Sequence, residues 1–174
     1  MELKGKCMAI LLEDMYEDPE YWYPYYRFQE AGAKVKTIAP ETTKIYTSKH
    51  GYPATADLAA KDAKASEFDA VIVPGGYSPD RMRRSPEMIN FVRDAFRLGK
   101  VVAAICHGPW MLASAGALKG KKATCFFSIK DDVINSGAEY LDEPVIKDGN
   151  VITSRVPDDL PYFCQEIIKS LATT

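Results

Sequence analysis

The run Val101-Val102-Ala103-Ala104-Ile105, followed at once by Cys106-His107-Gly108-Pro109, constrains this chain more than any other feature. Five small or β-branched residues without alternation describe a strand buried on both faces. Beyond Pro109, the residues Trp110, Met111, Leu112, Ala113 and Ala115 continue as a helix, with the proline in its first turn. The Cys106 thiol therefore stands at a sharp strand-to-helix turn with an imidazole beside it. Such a turn exposes a nucleophile above a sheet and aims the first helical amides at it. A helix N-terminus and a nearby cation both lower a thiol pKa, so Cys106 is expected to be an activated nucleophile. A cysteine at a strand end is otherwise a small core residue. A Gly-Pro pair two residues on is a costly way to fill a core, and it favours the functional reading.

The rest of the chain alternates strands and helices. Lys6 to Leu12 reads as a buried strand and Glu13 to Glu20 as an acidic turn. Pro19 opens an aromatic-rich helix that ends near Gly32, with Pro24 predicting a kink or a late start. Ala33 to Ala39 is a second strand, Ile45 to Thr47 with Gly51 to Ala54 a short hairpin, and Asp69 to Val73 a third buried strand closed by Pro74-Gly75-Gly76. Ser85, Pro86 and Gly99 punctuate the next helix. Lys122 to Phe127 is expected to be a strand, and Ile129 to Ser136 a short helix. Val145-Ile146 and Val151 to Ser154 form a hairpin through Asp148-Gly149. The last helix is the most regular: Leu160, Phe163, Cys164, Ile167, Ile168 and Leu171 share one face. This order predicts an α/β fold with a mostly parallel sheet covered on both faces, in one domain spanning 1–174. Ligands of such sheets bind at the carboxyl ends of the strands. The acidic turn, Pro74-Gly75-Gly76 and Cys106-His107 all fall there.

Composition narrows the function. The 174 residues carry 22 Lys and Arg against 24 Asp and Glu, so no basic excess points to nucleic acid. The apolar run from Cys7 to Leu12 is too short for a signal peptide, and no run is long enough to span a membrane. A soluble, cytoplasmic protein is expected. Cys7, Cys106, Cys125 and Cys164 include no C-x-x-C pair, and His50 and His107 are the only histidines. A Cys/His metal cluster or a disulfide framework is therefore not expected, and nothing suggests an organic cofactor. Cys7, Cys125 and Cys164 read as structural, and His50 as a turn residue.

A cysteine nucleophile needs a base or a stabilised thiolate, an oxyanion site and an orienting acid. The backbone N–H of His107 follows the nucleophile, where an elbow places an oxyanion donor. Gly76, in a Gly-Gly turn, is the candidate second donor. Adjacent side chains commonly diverge, so contact between the His107 ring and the thiol is left open. The acidic turn offers Glu13, Asp14, Glu17, Asp18 and Glu20. A protonated carboxyl there would donate to the sulfur and favour the thiolate, whereas an ionised one would oppose it. Burial decides between them.

The chain resembles the ThiJ/PfpI superfamily, and within it the PfpI branch. The resemblance rests on Glu17-Asp18-Pro19-Glu20 with Tyr23-Pro24-Tyr25, on His50-Gly51-Tyr52, and on Pro74-Gly75-Gly76-Tyr77-Ser78-Pro79-Asp80. It continues through Ala104-Ile105-Cys106-His107-Gly108-Pro109, Ile129-Lys130-Asp131-Asp132 and Ser154-Arg155-Val156-Pro157, in order over nearly the whole chain. It implies a flavodoxin-like sandwich with a strained Cys106 at the elbow. It implies that Glu20 is the carboxyl hydrogen-bonded to that cysteine, and that Glu17 stands nearby in the pocket. It implies that His107 is oriented by an acid from a neighbouring subunit, which maps onto Asp80. Dimers that assemble into hexamers are implied, and Phe126 stands where some members carry a pocket tyrosine. The aromatics Tyr21, Trp22, Tyr23, Tyr25 and Tyr26 exceed what one short helix buries, which suits an interface. Arg81, Arg83 and Arg84 are candidates to pair across it.

Three activities compete. The first is conversion of reactive aldehydes such as methylglyoxal to a hydroxy acid through a Cys106 hemithioacetal, a glyoxalase or deglycase chemistry. The second is a cysteine peptidase using Cys106, His107 and Asp80 of a neighbouring subunit. The third is a redox-sensing or holdase-like stress protein in which Cys106 is oxidised beside Glu20.

Overall fold

The computed structural model describes residues 1–172; residues 173–174 at the end of the expected domain lie outside the described residues. In chain order, β1 (Cys7–Leu11) leads to α1 (Asp18–Glu30) and β2 (Lys34–Ala39). A hairpin of β3 (Tyr46–Thr47) and β4 (Pro53–Ala54) and a short β5 (Leu58–Ala59) precede β6 (Ala70–Val73). Then come α2 (Ser78–Met82), α3 (Pro86–Arg97), β7 (Val101–Ile105) and α4 (Pro109–Ala115). The chain continues through β8 (Lys122–Ala123), α5 (Lys130–Asn135), β9 (Glu139–Tyr140), β10 (Val145–Asp148), β11 (Val151–Ser154) and α6 (Leu160–Ala172).

Seven strands form the central sheet in the order β10-β11-β7-β6-β1-β2-β5. All neighbours run parallel except the edge pair β10 and β11, which is the hairpin turned at Gly149. The three central strands, β7, β6 and β1, are apolar on both sides because both faces are covered. Ala9, Leu11, Val71, Val73, Val102 and Ala104 face a core shared with Met88 and Val92 of α3 and Met111 and Leu112 of α4. The alternate residues Met8, Ile10, Ile72, Ala103 and Ile105 face Phe28 of α1 and Phe163 and Ile167 of α6. The period of two along each strand thus sorts its side chains into two cores. This is the flavodoxin-like architecture expected from the sequence.

Two expectations are corrected. Lys122 to Phe127 is not one strand: β8 stops at Ala123, and the N–H of Phe126 donates to the carbonyl of Cys106 at 2.9 Å. That bond pulls the segment over the elbow, and a 3₁₀ turn follows at Phe127–Ile129. Pro24 does not delay α1, which starts at Asp18 and runs through it. The short β5 and α2 carry no periodicity to read in the sequence. No helix among the described residues is long and apolar enough to cross a membrane.

Candidate active site

Cys106 is the residue after β7, and its backbone is left-handed, with φ of 62°. A non-glycine residue seldom adopts that region without being held there. Three contacts hold it. The Cys106 N–H donates to Ser154 of β11 at 3.0 Å, continuing the strand pairing by one residue. Its carbonyl accepts from Phe126, as above. Gly108 packs so closely on the carbonyls of Val73 and Ile105 that no side chain fits there, and Pro109 then opens α4. The Gly-Pro pair is thus what lets the helix start directly behind the thiol.

Glu20 reaches the same place from α1, where it is fully buried. Its Oε2 accepts from the N–H of Gly75 at 2.7 Å. Its Oε1 is buried with no hydrogen-bond partner of ordinary geometry. Gly75 is wedged between the two groups: a Cβ there would lie 2.5 Å from Glu20 Oε2 and 2.8 Å from Cys106 Cβ. Burial pushes the Glu20 carboxyl up to about 8, so it is protonated at neutral pH. An unpartnered buried carboxylate would be costly, whereas a carboxylic acid can donate from Oε1 toward the neighbouring sulfur.

The expected low thiol pKa needs correction. Burial pushes the Cys106 thiol up, and a charged Glu20 would raise it further, against the pull of the Gly76 and His107 amides. A helix start behind a cysteine does not offset removal of the sulfur from water. Protonation of Glu20 removes the repulsion and adds a donor, which is the condition under which a thiolate forms here.

The His107 ring turns back on its neighbour, placing Nδ1 3.2 Å from Cys106 Sγ and Nε2 3.4 Å from Ser128 Oγ. The ring is stacked on Phe126 at 5.0 Å and meets the edge of Trp110 at 5.2 Å. Burial and the Lys49 charge hold the imidazole below its ordinary value, so it is neutral at pH 7. With Nε2 protonated toward Ser128, Nδ1 presents a lone pair to the thiol.

These groups line a cavity of about 420 Å³ at the carboxyl ends of β6 and β7, closed on one side by Phe126 and Pro157. Glu17 stands at its mouth, bound to Lys49 at 2.7 Å. Gly76 is bridged to Tyr16 of the acidic turn. Met15 in that turn is, among the described residues, the other non-glycine residue with positive φ, 66°, and its carbonyl accepts from Tyr77 at 2.9 Å. The turn is therefore latched onto the Gly-Gly loop. The structure brings Cys106, His107, Glu20, Glu17 and Gly76 together. It does not bring Asp80 to them within one chain: Asp80 is exposed on α2 and paired with Arg84 at 2.7 Å.

Lys49 and Ser128 were not singled out in the sequence, and Tyr77 only within the motif at 74–80. They come from loops, where no spacing marks a residue as facing a pocket. Glu17, Asp18 and His50 bring ligand-type atoms within 4.8 Å of one another. Asp18 is already engaged by His50 and Ser48, and Glu17 by Lys49, so this trio reads as a brace for the hairpin. Cys7, Cys125 and Cys164 are free thiols; burial pushes the latter two up to about 12.

A thiol, a neutral imidazole and a protonated carboxyl in a small half-closed cavity can add sulfur to an electrophilic carbon and move protons next to it. The sequence profile of the DJ-1/PfpI family matches residues 6–170. Deglycase PfpI of Pyrococcus furiosus is 44% identical over 164 residues, which is 94% of this chain and 98% of that protein. Protein/nucleic acid deglycase 2 of Escherichia coli is 41% identical over 169 residues, 96% of this chain and 98% of that one. Among solved structures, a two-domain protein of Anabaena variabilis with DJ-1/ThiJ/PfpI-like and ferritin-like domains superposes with a TM-score of 0.94 at 45% identity. The match covers 96% of this chain, which spans about half the length of that protein.

Proposed function

The chain belongs to the DJ-1/PfpI family, and from that premise we propose that it is a deglycase- or glyoxalase-type enzyme acting on small reactive aldehydes. The observation that carries this reading is the buried Glu20 carboxyl set beside an elbow thiol, in a cavity whose 420 Å³ suits a small molecule. The names of the two deglycase relatives support it.

With methylglyoxal the steps balance as follows. The Cys106 sulfur bonds to the aldehyde carbon, and its proton passes to the carbonyl oxygen through His107 Nδ1, giving a hemithioacetal. The amides of Gly76 and His107 face the sulfur and serve the adjacent oxygen as donors. His107 then takes the proton from the former aldehyde carbon and returns one to the neighbouring carbon. The product is a thioester of the hydroxy acid. Water cleaves the C–S bond, lactate leaves, and the thiol is restored. Glu20 holds a hydrogen bond to sulfur at the start and end, when the sulfur carries charge. The sum is one water added to one methylglyoxal, with no external oxidant.

A second reading is peptidase action, favoured by the 3.2 Å approach of His107 Nδ1 to Cys106 Sγ. It needs Asp80 from a neighbouring copy, and the exposed position of Asp80 on α2 is compatible with that. Self-association is part of this proposal: Tyr23, Tyr26 and Tyr52 are exposed large aromatics around Trp22, the kind of face that a second copy covers.

The deciding experiment is steady-state conversion of methylglyoxal without glutathione, by the wild type beside Cys106→Ser. Lactate from the wild type alone is the expected result. No lactate from either sinks the aldehyde reading, and cleavage of labelled peptides then tests the second.

A further inference from the structure

Trp110 contributes to none of the steps above, yet it is held on three sides. Its indole Nε1–H donates to Asp132 Oδ2 on α5 at 2.7 Å. The Arg83 guanidinium lies 5.7 Å from the ring centre, itself anchored by Nε to Ser114 Oγ at 2.8 Å. The third side is the edge contact with His107 at 5.2 Å. A core tryptophan needs no such framing.

The geometry at His107 gives the framing a purpose. Its ring lies between Phe126, stacked at 28°, and Trp110, inclined at 63°. Among the described residues, the polar contacts of the ring are the 3.2 Å approach to Cys106 Sγ and the longer 3.4 Å approach to Ser128. The Ser128 contact is long for a hydrogen bond, and the sulfur contact is the one that catalysis must break and remake, so the ring also depends on its aromatic walls. The two aromatic walls set the ring: Phe126 is placed by its backbone N–H on the Cys106 carbonyl, and only Trp110 is tethered through its side chain. Phe126 has no polar handle and leans on exposed Phe127 at 4.7 Å.

We propose that Trp110, tethered by Asp132, is the positioning residue that holds His107 Nδ1 against the Cys106 sulfur. The inference rests on the reading of His107 as the group that moves protons at the elbow. Asp132 is exposed on α5 and is not among the residues that line the cavity, so its removal leaves the lining in place.

The test uses the full chain as wild type, Asp132→Ala and Asp132→Asn. Asn keeps an oxygen acceptor for the indole N–H, whereas Ala keeps none. Misplacing a reacting group by a fraction of an ångström slows reactions by about tenfold or more. Asp132→Ala is therefore expected to lower kcat for methylglyoxal about tenfold, with KM changed less than twofold, and to shift the His107 ring ¹H–¹⁵N signals. Asp132→Asn is expected to restore both. An unchanged kcat, a loss confined to KM, a lower kcat without a change in the ring signals, or an Asn variant as slow as Ala overturns the proposal. If the wild type turns over no methylglyoxal, the functional reading has failed and the ring signals decide alone. A shift in Ala that Asn reverses supports the positioning role, and its absence overturns it.

Discussion

At the scale of single residues, Glu20 governs the site. Its protonation follows from burial, and its role in activity is separable by chemistry. Gln at position 20 keeps an acceptor for Gly75 and an N–H donor for the sulfur, whereas Leu keeps neither. If Glu20 acts as a donor, Glu20→Gln is expected to retain aldehyde turnover within tenfold, and Glu20→Leu to lose more than about a hundredfold. Steady-state kcat/KM of the two variants checks this; a Gln variant as inactive as Leu would show that the carboxyl itself moves protons. Stability carries a second signature. The folded-state value of about 8 lies above the ordinary 4.5, so the folded chain binds this proton more tightly than the unfolded one. The associated stabilisation is full below about pH 4.5 and is lost as pH rises through 8. Melting temperature is expected to fall between about pH 5 and 8 in the wild type, and to fall less in Glu20→Gln. Equal slopes in the two proteins would place the ionisation elsewhere.

At the scale of elements, much was legible and the failures have causes. β7 was visible because both its faces are covered, so every position is apolar. α3 was visible from its ends: the side chain of Ser85 accepts from the N–H of Met88 at 3.3 Å and Pro86 occupies the first position. Ser85→Ala is expected to destabilise the protein by about 1 kcal/mol in urea titration, without change in turnover. The segment after β8 misled because Thr124, Cys125, Phe126 and Phe127 have strand-like composition. Thr124 donates its N–H to Thr153 Oγ1 at 2.9 Å and Phe126 bonds to Cys106, so two contacts from distant strands override local preference. The same override serves the site, since it sets the Phe126 ring on His107.

At the scale of the whole molecule, the peptidase reading calls for an acid to orient His107, and a single chain does not bring Asp80 there. The Asp80 carboxyl is spent on Arg84 within its own chain, in an exposed pair worth little. If a second copy brings it to the imidazole, Asp80→Ala is expected to lower peptide cleavage at least tenfold while leaving methylglyoxal turnover nearly unchanged. Assays on either side of the dissociation concentration, set by sedimentation velocity, check this: the Asp80 effect should vanish in the monomer. An equal effect in monomer and assembly would make the role local.

The sequence alone determined the main alternation of strands and helices, the elbow at Cys106 and the loops that meet at the sheet's carboxyl edge. Apolar periodicity, Gly-Pro punctuation and helix caps depend on near neighbours, so they are written locally. Only the tertiary structure decided the protonation of Glu20, because its burial depends on Gly75, 55 residues away. It also decided the pairing of Lys49 with Glu17 across 32 residues, and the closure of Phe126 and Trp110 around His107. Charge state and ring orientation are properties of the surroundings, and the surroundings exist only once the sheet has brought its loops together.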